Sequence, residues 1–160
     1  MKKRILNSEL ASVVANIRHG EMIFVADAGS GVSSKSLYPL DPDVKYLDLG
    51  VVTGSPSFQE LVSTLFDVGD FESVIITDLM ETLNKKDFDF LNNRLLRESI
   101  HVMPYIPDFY EMRDRCKLVV QTGDYGAHAQ AILVAGYSTE DIPMEWLKQG
   151  INKKGDADNE

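Results

Sequence analysis

Four short apolar runs govern what this chain can become: MIFVA at 22–26, SVIITDL at 73–79, KLVVQTG at 117–123 and AILVAGY at 131–137. Each has the length and β-branched content of a buried strand, and helical stripes lie between them. Asn7 or Ser8 can cap a first helix whose stripe is Leu10, Val13, Val14 and Ile17, with Glu9 in its first turn. Ser55 and Pro56 form a cap and first-turn pair for a second, with Phe58, Leu61, Val62 and Leu65 on its apolar face. Residues 86–97 read as a third helix that turns Phe90, Leu91 and Leu95 inward. KYLDL at 45–49 is a short alternating strand, HVMPY a strand end or edge because of Pro104, and Pro107 opens a short helix. Strand–helix–strand alternation of this kind predicts a three-layer α/β domain.

Composition narrows the function classes. At 160 residues the chain suits one domain, and a formal charge of −9 argues against nucleic-acid backbones and anionic membranes, which attract clustered Lys and Arg. Only Lys2, Lys3 and Arg4 cluster. No apolar run approaches the ~18 residues of a membrane span, and Ile5–Leu6 is too short for a signal-peptide core. The lone cysteine, Cys116, excludes an internal disulfide framework and fits a reducing cytoplasm as a buried structural thiol. The expected location is therefore cytoplasmic.

Two residues stand out around the first strand. His19 ends the first helical segment beside Gly20, and Asp27 follows the strand into the loop GSGVSSKS. Ligands of open α/β sheets bind outside the carboxyl ends of strands, so the two make a candidate acid/base or hydroxyl-binding pair. The structural alternative is a helix C-cap and a turn cap. The loop itself imitates a phosphate-binding P-loop at Gly29, Lys35 and Ser36. Its second glycine is replaced by Ser34, and Pro39 and Pro42 forbid the helix that such a loop needs. A flexible or sugar-contacting loop is the better expectation.

Three blocks in order, LNSELASVVANIRHGEMIFVADAG, LDLGVVTGSPSF and VVQTGDYGAHAQAILVAG, resemble the D-ribose pyranase and L-fucose mutarotase family over most of residues 5–137. The resemblance implies an α/β/α domain with a mixed central sheet, built into ring-shaped homo-oligomers, often decamers. It implies an isomerase that interconverts anomers or ring forms of a monosaccharide such as L-fucose or D-ribose, without cofactor or metal, at sites near subunit contacts. By the same resemblance His19 matches the catalytic histidine and Asp27 the sugar-binding carboxylate. The family's basic side chain three residues before a Phe falls on Ile106, counting from Phe109. His128 and Gln130 stand where the family has a Tyr and an Asn.

The surviving groups suit the chemistry. Opening a hemiacetal takes a proton from the anomeric hydroxyl and gives one to the ring oxygen, a task for two weak acid/base groups such as His19 and His128. Asp27 would accept hydrogen bonds from a vicinal diol. Ile106 cannot hydrogen-bond and suggests a less polar substrate group, such as the methyl of a 6-deoxy sugar; the alternative is that His101 substitutes for it. The site expected from the sequence is thus His19 and His128 for catalysis, with Asp27, Ile106, His128 and Gln130 binding substrate. Metal ligation by His19, His101 and His128 has no supporting spacing. A sugar-binding oligomer without turnover, coupled to transport or regulation, is the second functional reading, and a nucleotide-dependent enzyme a distant third. The domain is expected to span 1–137, with an extension over 138–150 in which Pro143 opens a helix offering Trp146 and Leu147, and a disordered tail over 151–160.

Overall fold

A computed structural model of the chain describes residues 1–136 and 141–149. The expected tail at 151–160 lies outside the described residues. Helix α1 (Ser8–Asn16) starts where the Asn7 side chain accepts the Leu10 N–H at 2.9 Å. It ends three residues before His19, and Gly20, at φ +88°, turns the chain into β1 (Met22–Ala26). Strand β2 (Lys45–Asp48) follows the long loop.

Helix α2 (Phe58–Val68) is capped by Ser57, whose hydroxyl accepts the Glu60 N–H at 3.1 Å. The expected cap at Ser55 is displaced by a tight turn, in which the Val51 N–H donates to the Ser55 carbonyl at 3.0 Å. That turn lies directly against Gly123, where a Cβ would collide with the Ser55 and Val52 carbonyls. Then come β3 (Phe71–Thr77), α3 (Met80–Leu83) and α4 (Lys85–Arg94). In α4, Phe88 and Leu91 are buried, while Phe90 and Leu95 only border the core. Strand β4 (Ile100–Met103), α5 (Tyr110–Arg113), β5 (Leu118–Gln121), β6 (Ala131–Ala135) and α6 over 144–149 complete the described residues.

Among the described residues, six strands form one sheet in the order β2-β5-β1-β6-β3-β4. β6 pairs antiparallel with β1 and β3, and all other pairings are parallel. The five parallel strands therefore point their carboxyl ends the same way, and the antiparallel sixth begins at that edge. Side chains alternate between two cores as strand geometry requires. Ile23, Val25, Val74, Ile76, Leu118, Val120 and Leu133 face α1, α2 and α4. Met22, Phe24, Ile75, Val119, Ile132 and Val134 face Phe109, Met112, Cys116 and Leu147. This is the expected three-layer α/β/α arrangement, thick on one face and thin on the other. Cys116 is buried, as read from the sequence, and burial pushes its thiol far above the ordinary range.

Candidate functional site

A cleft of about 760 Å³ opens at the carboxyl edge of the sheet. Asp27 enters it from the end of β1, and its Oδ1 accepts the Gly29 N–H at 2.8 Å. Burial raises the pKa of this carboxyl above the ordinary value, against the lowering effect of that N–H and of Ser30. The loop after Asp27 is pinned by Gln121, whose Nε2 donates to the carbonyls of Asp27 at 3.0 Å and Ser30 at 2.7 Å. Gln121 is itself held by the Tyr46 hydroxyl. The Gly/Ser loop contributes Gly29, Ser30, Gly31, Lys35 and Ser36 to the wall and enters no helix. Its likeness to a P-loop therefore ends at sequence.

His128 reaches the cleft from the turn before β6, in a left-handed conformation at φ 49° that is uncommon outside glycine. Its Nδ1 lies 3.1 Å from the hydroxyl of Thr77, a buried residue at the end of β3. Tyr105 meets the imidazole edge-on at 4.7 Å between centroids. The Tyr105 hydroxyl is 3.0 Å from that of Tyr110, and Tyr110 stacks on Tyr38 at 4.7 Å. Burial and the Tyr110 hydroxyl push the Tyr105 phenol well above its ordinary range, so it is neutral at working pH. Tyr125 completes the aromatic lining.

Four of the five residues singled out in the sequence thus gather at one end. Asp27, His128 and Ile106 line the cleft, with Ile106 half-exposed at its rim. Gln130 stands one layer back: it is buried, and its Oε1 accepts the Ser30 hydroxyl at 3.0 Å, steadying the wall. His101 does not join them. It lies on β4, with Asp141 as its charged neighbour, and burial lowers its affinity for a proton. Thr77 and the tyrosines Tyr38, Tyr105, Tyr110 and Tyr125 were not singled out beforehand. The hint for Tyr105 was its place directly after the strand-ending Pro104.

His19 is the exception. It sits at the opposite edge of the sheet, before β1, with Nε2 3.1 Å from Glu72 Oε2. Its surroundings form a separate hollow of about 540 Å³ with Arg115, Lys117, Ile142 and Trp146. The five residues of β1 alone put roughly 17 Å between the two edges. Within one copy, His19 and Asp27 cannot hold the same monosaccharide.

A family profile matches residues 1–138, that of the RbsD / FucU transport protein family. The chain belongs to this family. D-ribose pyranases of Bacillus licheniformis and Bacillus subtilis are each 31% identical over 137 residues, 85% of this chain and 98% of theirs. The solved structure of Bacillus subtilis RbsD complexed with D-ribose superposes with a TM-score of 0.75 at 31% identity, covering 86% of this chain and 99% of that one. The fucose mutarotase of Streptococcus pneumoniae, solved in complex with L-fucose, shares the fold at 18% identity, with a TM-score of 0.65 and coverage of 84% and 95%. The described segment 141–149 lies beyond the residues that the family profile matches.

Proposed function

We propose that this chain is a monosaccharide mutarotase or pyranase, an isomerase that opens and recloses a hemiacetal ring at the carboxyl-edge cleft. The observation that carries the reading is the meeting of Asp27, His128 and a tyrosine wall in one cleft of a family member. A base takes the anomeric hydroxyl proton as the C1–ring-oxygen bond breaks, and an acid protonates the ring oxygen. Reclosure on the other face of the aldehyde, or through another hydroxyl, gives the second anomer or ring form. His128 supplies one of these groups, its ring held by Thr77, and Asp27 fixes sugar hydroxyls. The apolar Ile106 at the rim favours a substrate with a methyl or hydrogen-bearing carbon there, such as a 6-deoxy sugar.

His19 is the second proton-transfer group, delivered to this cleft by another copy of the chain. That requires an oligomer, a ring such as a decamer, working in the cytoplasm. Apolar side chains around the site support such association: Leu37, Leu83 and Tyr125 line the cleft and stand exposed in a single copy. Light scattering should return a mass many times 17.9 kDa. Saturation-transfer NMR on a panel of reducing sugars should show exchange between anomers above the spontaneous rate. Binding without exchange, for any sugar, would favour instead a non-catalytic sugar-binding oligomer coupled to transport or regulation, the reading that the changed residues Ile106, His128 and Gln130 motivate.

A further inference from the structure

The segment 141–149, beyond the reach of the family profile, lies across the corner that holds His19. It is seated at four points. The Ser99 hydroxyl donates to Asp141 Oδ2 at 3.4 Å. Ile142 packs on Gly20, where a Cβ would come within 2.7 Å of its Cδ1 and where the φ of +88° already favours glycine. The Ile142 N–H donates to Glu72 Oε1 at 3.0 Å. Leu147 is buried against the core that contains Met22, Cys116 and Val134.

Glu72 is the hinge of this arrangement. One carboxylate oxygen takes the strap's N–H, and the other faces His19 Nε2 at 3.1 Å. Its side chain is 9% exposed, against 26% for His19, so the carboxylate is the better-anchored member of the pair. We infer that the strap 141–149 and Glu72 together form a positioning device for His19, with Glu72 the positioning residue. An ionised carboxylate can only accept a hydrogen bond. A neutral His19 facing Glu72 must therefore carry its proton on Nε2, which puts the basicity of the ring on Nδ1. The strap sets the angle at which Glu72 presents its second oxygen, and so fixes both the ring plane and the tautomer. This rests on the reading above that His19 transfers a proton.

The test uses the full chain with its imidazoles labelled with ¹⁵N. Wild type should show His19 dominantly as the Nε2–H tautomer. Ile142→Pro removes the N–H that Glu72 accepts; Leu147→Asp undocks the strap while keeping it. Both should shift the His19 ¹⁵N resonances toward a mixture. Both should lower kcat for anomer exchange by about tenfold, well short of the ~10⁴ known for a fully buried orienting carboxylate, and leave KM within about twofold. Glu72→Ala should do the same and Glu72→Asp should recover part of the loss, whereas Ile142→Ala, which keeps the N–H and loses only the contact with Gly20, should lower kcat far less than Ile142→Pro. Unchanged ¹⁵N shifts and kcat in Ile142→Pro and Leu147→Asp would overturn the device. Should His19→Ala exchange anomers as fast as wild type, the catalytic role of His19 fails instead, and the ¹⁵N response still decides whether strap and tautomer are linked.

Discussion

The two edges of the sheet each carry one histidine, and the two are held by opposite kinds of partner. At the carboxyl edge, His128 Nδ1 meets the Thr77 hydroxyl, which can donate or accept. At the other edge, His19 Nε2 meets the Glu72 carboxylate, which can only accept. A hydroxyl lets the imidazole exchange tautomers as a proton moves; a carboxylate fixes one. The first suits a group that must both take and return a proton within one turnover. The second suits a group that must arrive in a set state, which is what a residue delivered to a neighbour's cleft needs. The surroundings differ in the same sense: an open aromatic cleft at one edge, a strap-covered corner at the other.

The largest effect should come from separating the edges. His19→Ala should lower anomer exchange by ~10²-fold or more, the scale of a general acid/base group. Asp27→Asn should also disable the site, by weakening its hold on the sugar hydroxyls. If the two edges of different copies form one site, mixing the two inactive proteins with subunit exchange should return about a quarter of wild-type activity, since a quarter of the contacts then join intact partners. No recovery in a verified mixed oligomer would break the shared-site picture.

His128→Phe should abolish exchange yet retain sugar binding, because stacking in the cleft survives and proton transfer does not. His128→Tyr restores the family's phenol and should keep activity, with the alkaline limb of the rate profile moved toward the phenol's ~10. Equal rates in wild type and His128→Phe would leave the cleft without its second catalytic group.

A smaller effect is expected one layer back. Thr77→Val keeps the shape of the buried side chain but removes the hydroxyl at His128, and kcat should fall about tenfold with folding nearly unchanged. Thr77→Ser should restore the rate. A Thr77→Val protein with wild-type kcat would show that His128 needs no partner, and the contrast between the two histidines would lose its meaning.

The smallest effect concerns stability. Burial raises the folded-state value of Asp27 above the ordinary 3.8, so below that pH the carboxyl is protonated in both folded and unfolded chains. As the pH rises through the raised value, ionising the buried group costs the folded state stability. Asp27→Asn should therefore melt slightly higher than wild type at neutral pH, with the gain vanishing in acid. Thermal melts at pH 3 and pH 7 measure it, and a loss of stability at neutral pH would mean that the Gly29 and Ser30 bonds outweigh burial.

The strands and main helices were legible because they are written in one dimension. Runs such as MIFVA and stripes such as Phe58, Leu61, Val62 and Leu65 report their own burial. The cap of α2 lies two residues beyond Ser55 because Ser55 belongs to a tight turn that packs against Gly123, far away in the chain. The same limit governs the site. Asp27 was visible as a carboxylate at a strand end, and Ile106, His128 and Gln130 through the order of family blocks. Thr77 and Tyr105 gain meaning only when the antiparallel β6 comes between β1 and β3 and brings His128 beside them. Gln130 is expected to bind substrate; in the structure its Oε1 accepts the Ser30 hydroxyl, one layer behind the cleft wall. The strap's helix was anticipated with Trp146 and Leu147 docking, yet only Leu147 is buried, and Trp146 is 65% exposed.

The distance along β1 has a kinetic corollary. If His19 serves a neighbour's cleft as proposed, a chain that keeps its two proton-handling edges a full strand apart is, on its own, half an enzyme twice over. Its specific activity is then a function of its own concentration: constant while the assembly holds, and falling faster than linearly once dilution separates the copies. Expression level would act as a control dial on such a catalyst, with no effector needed.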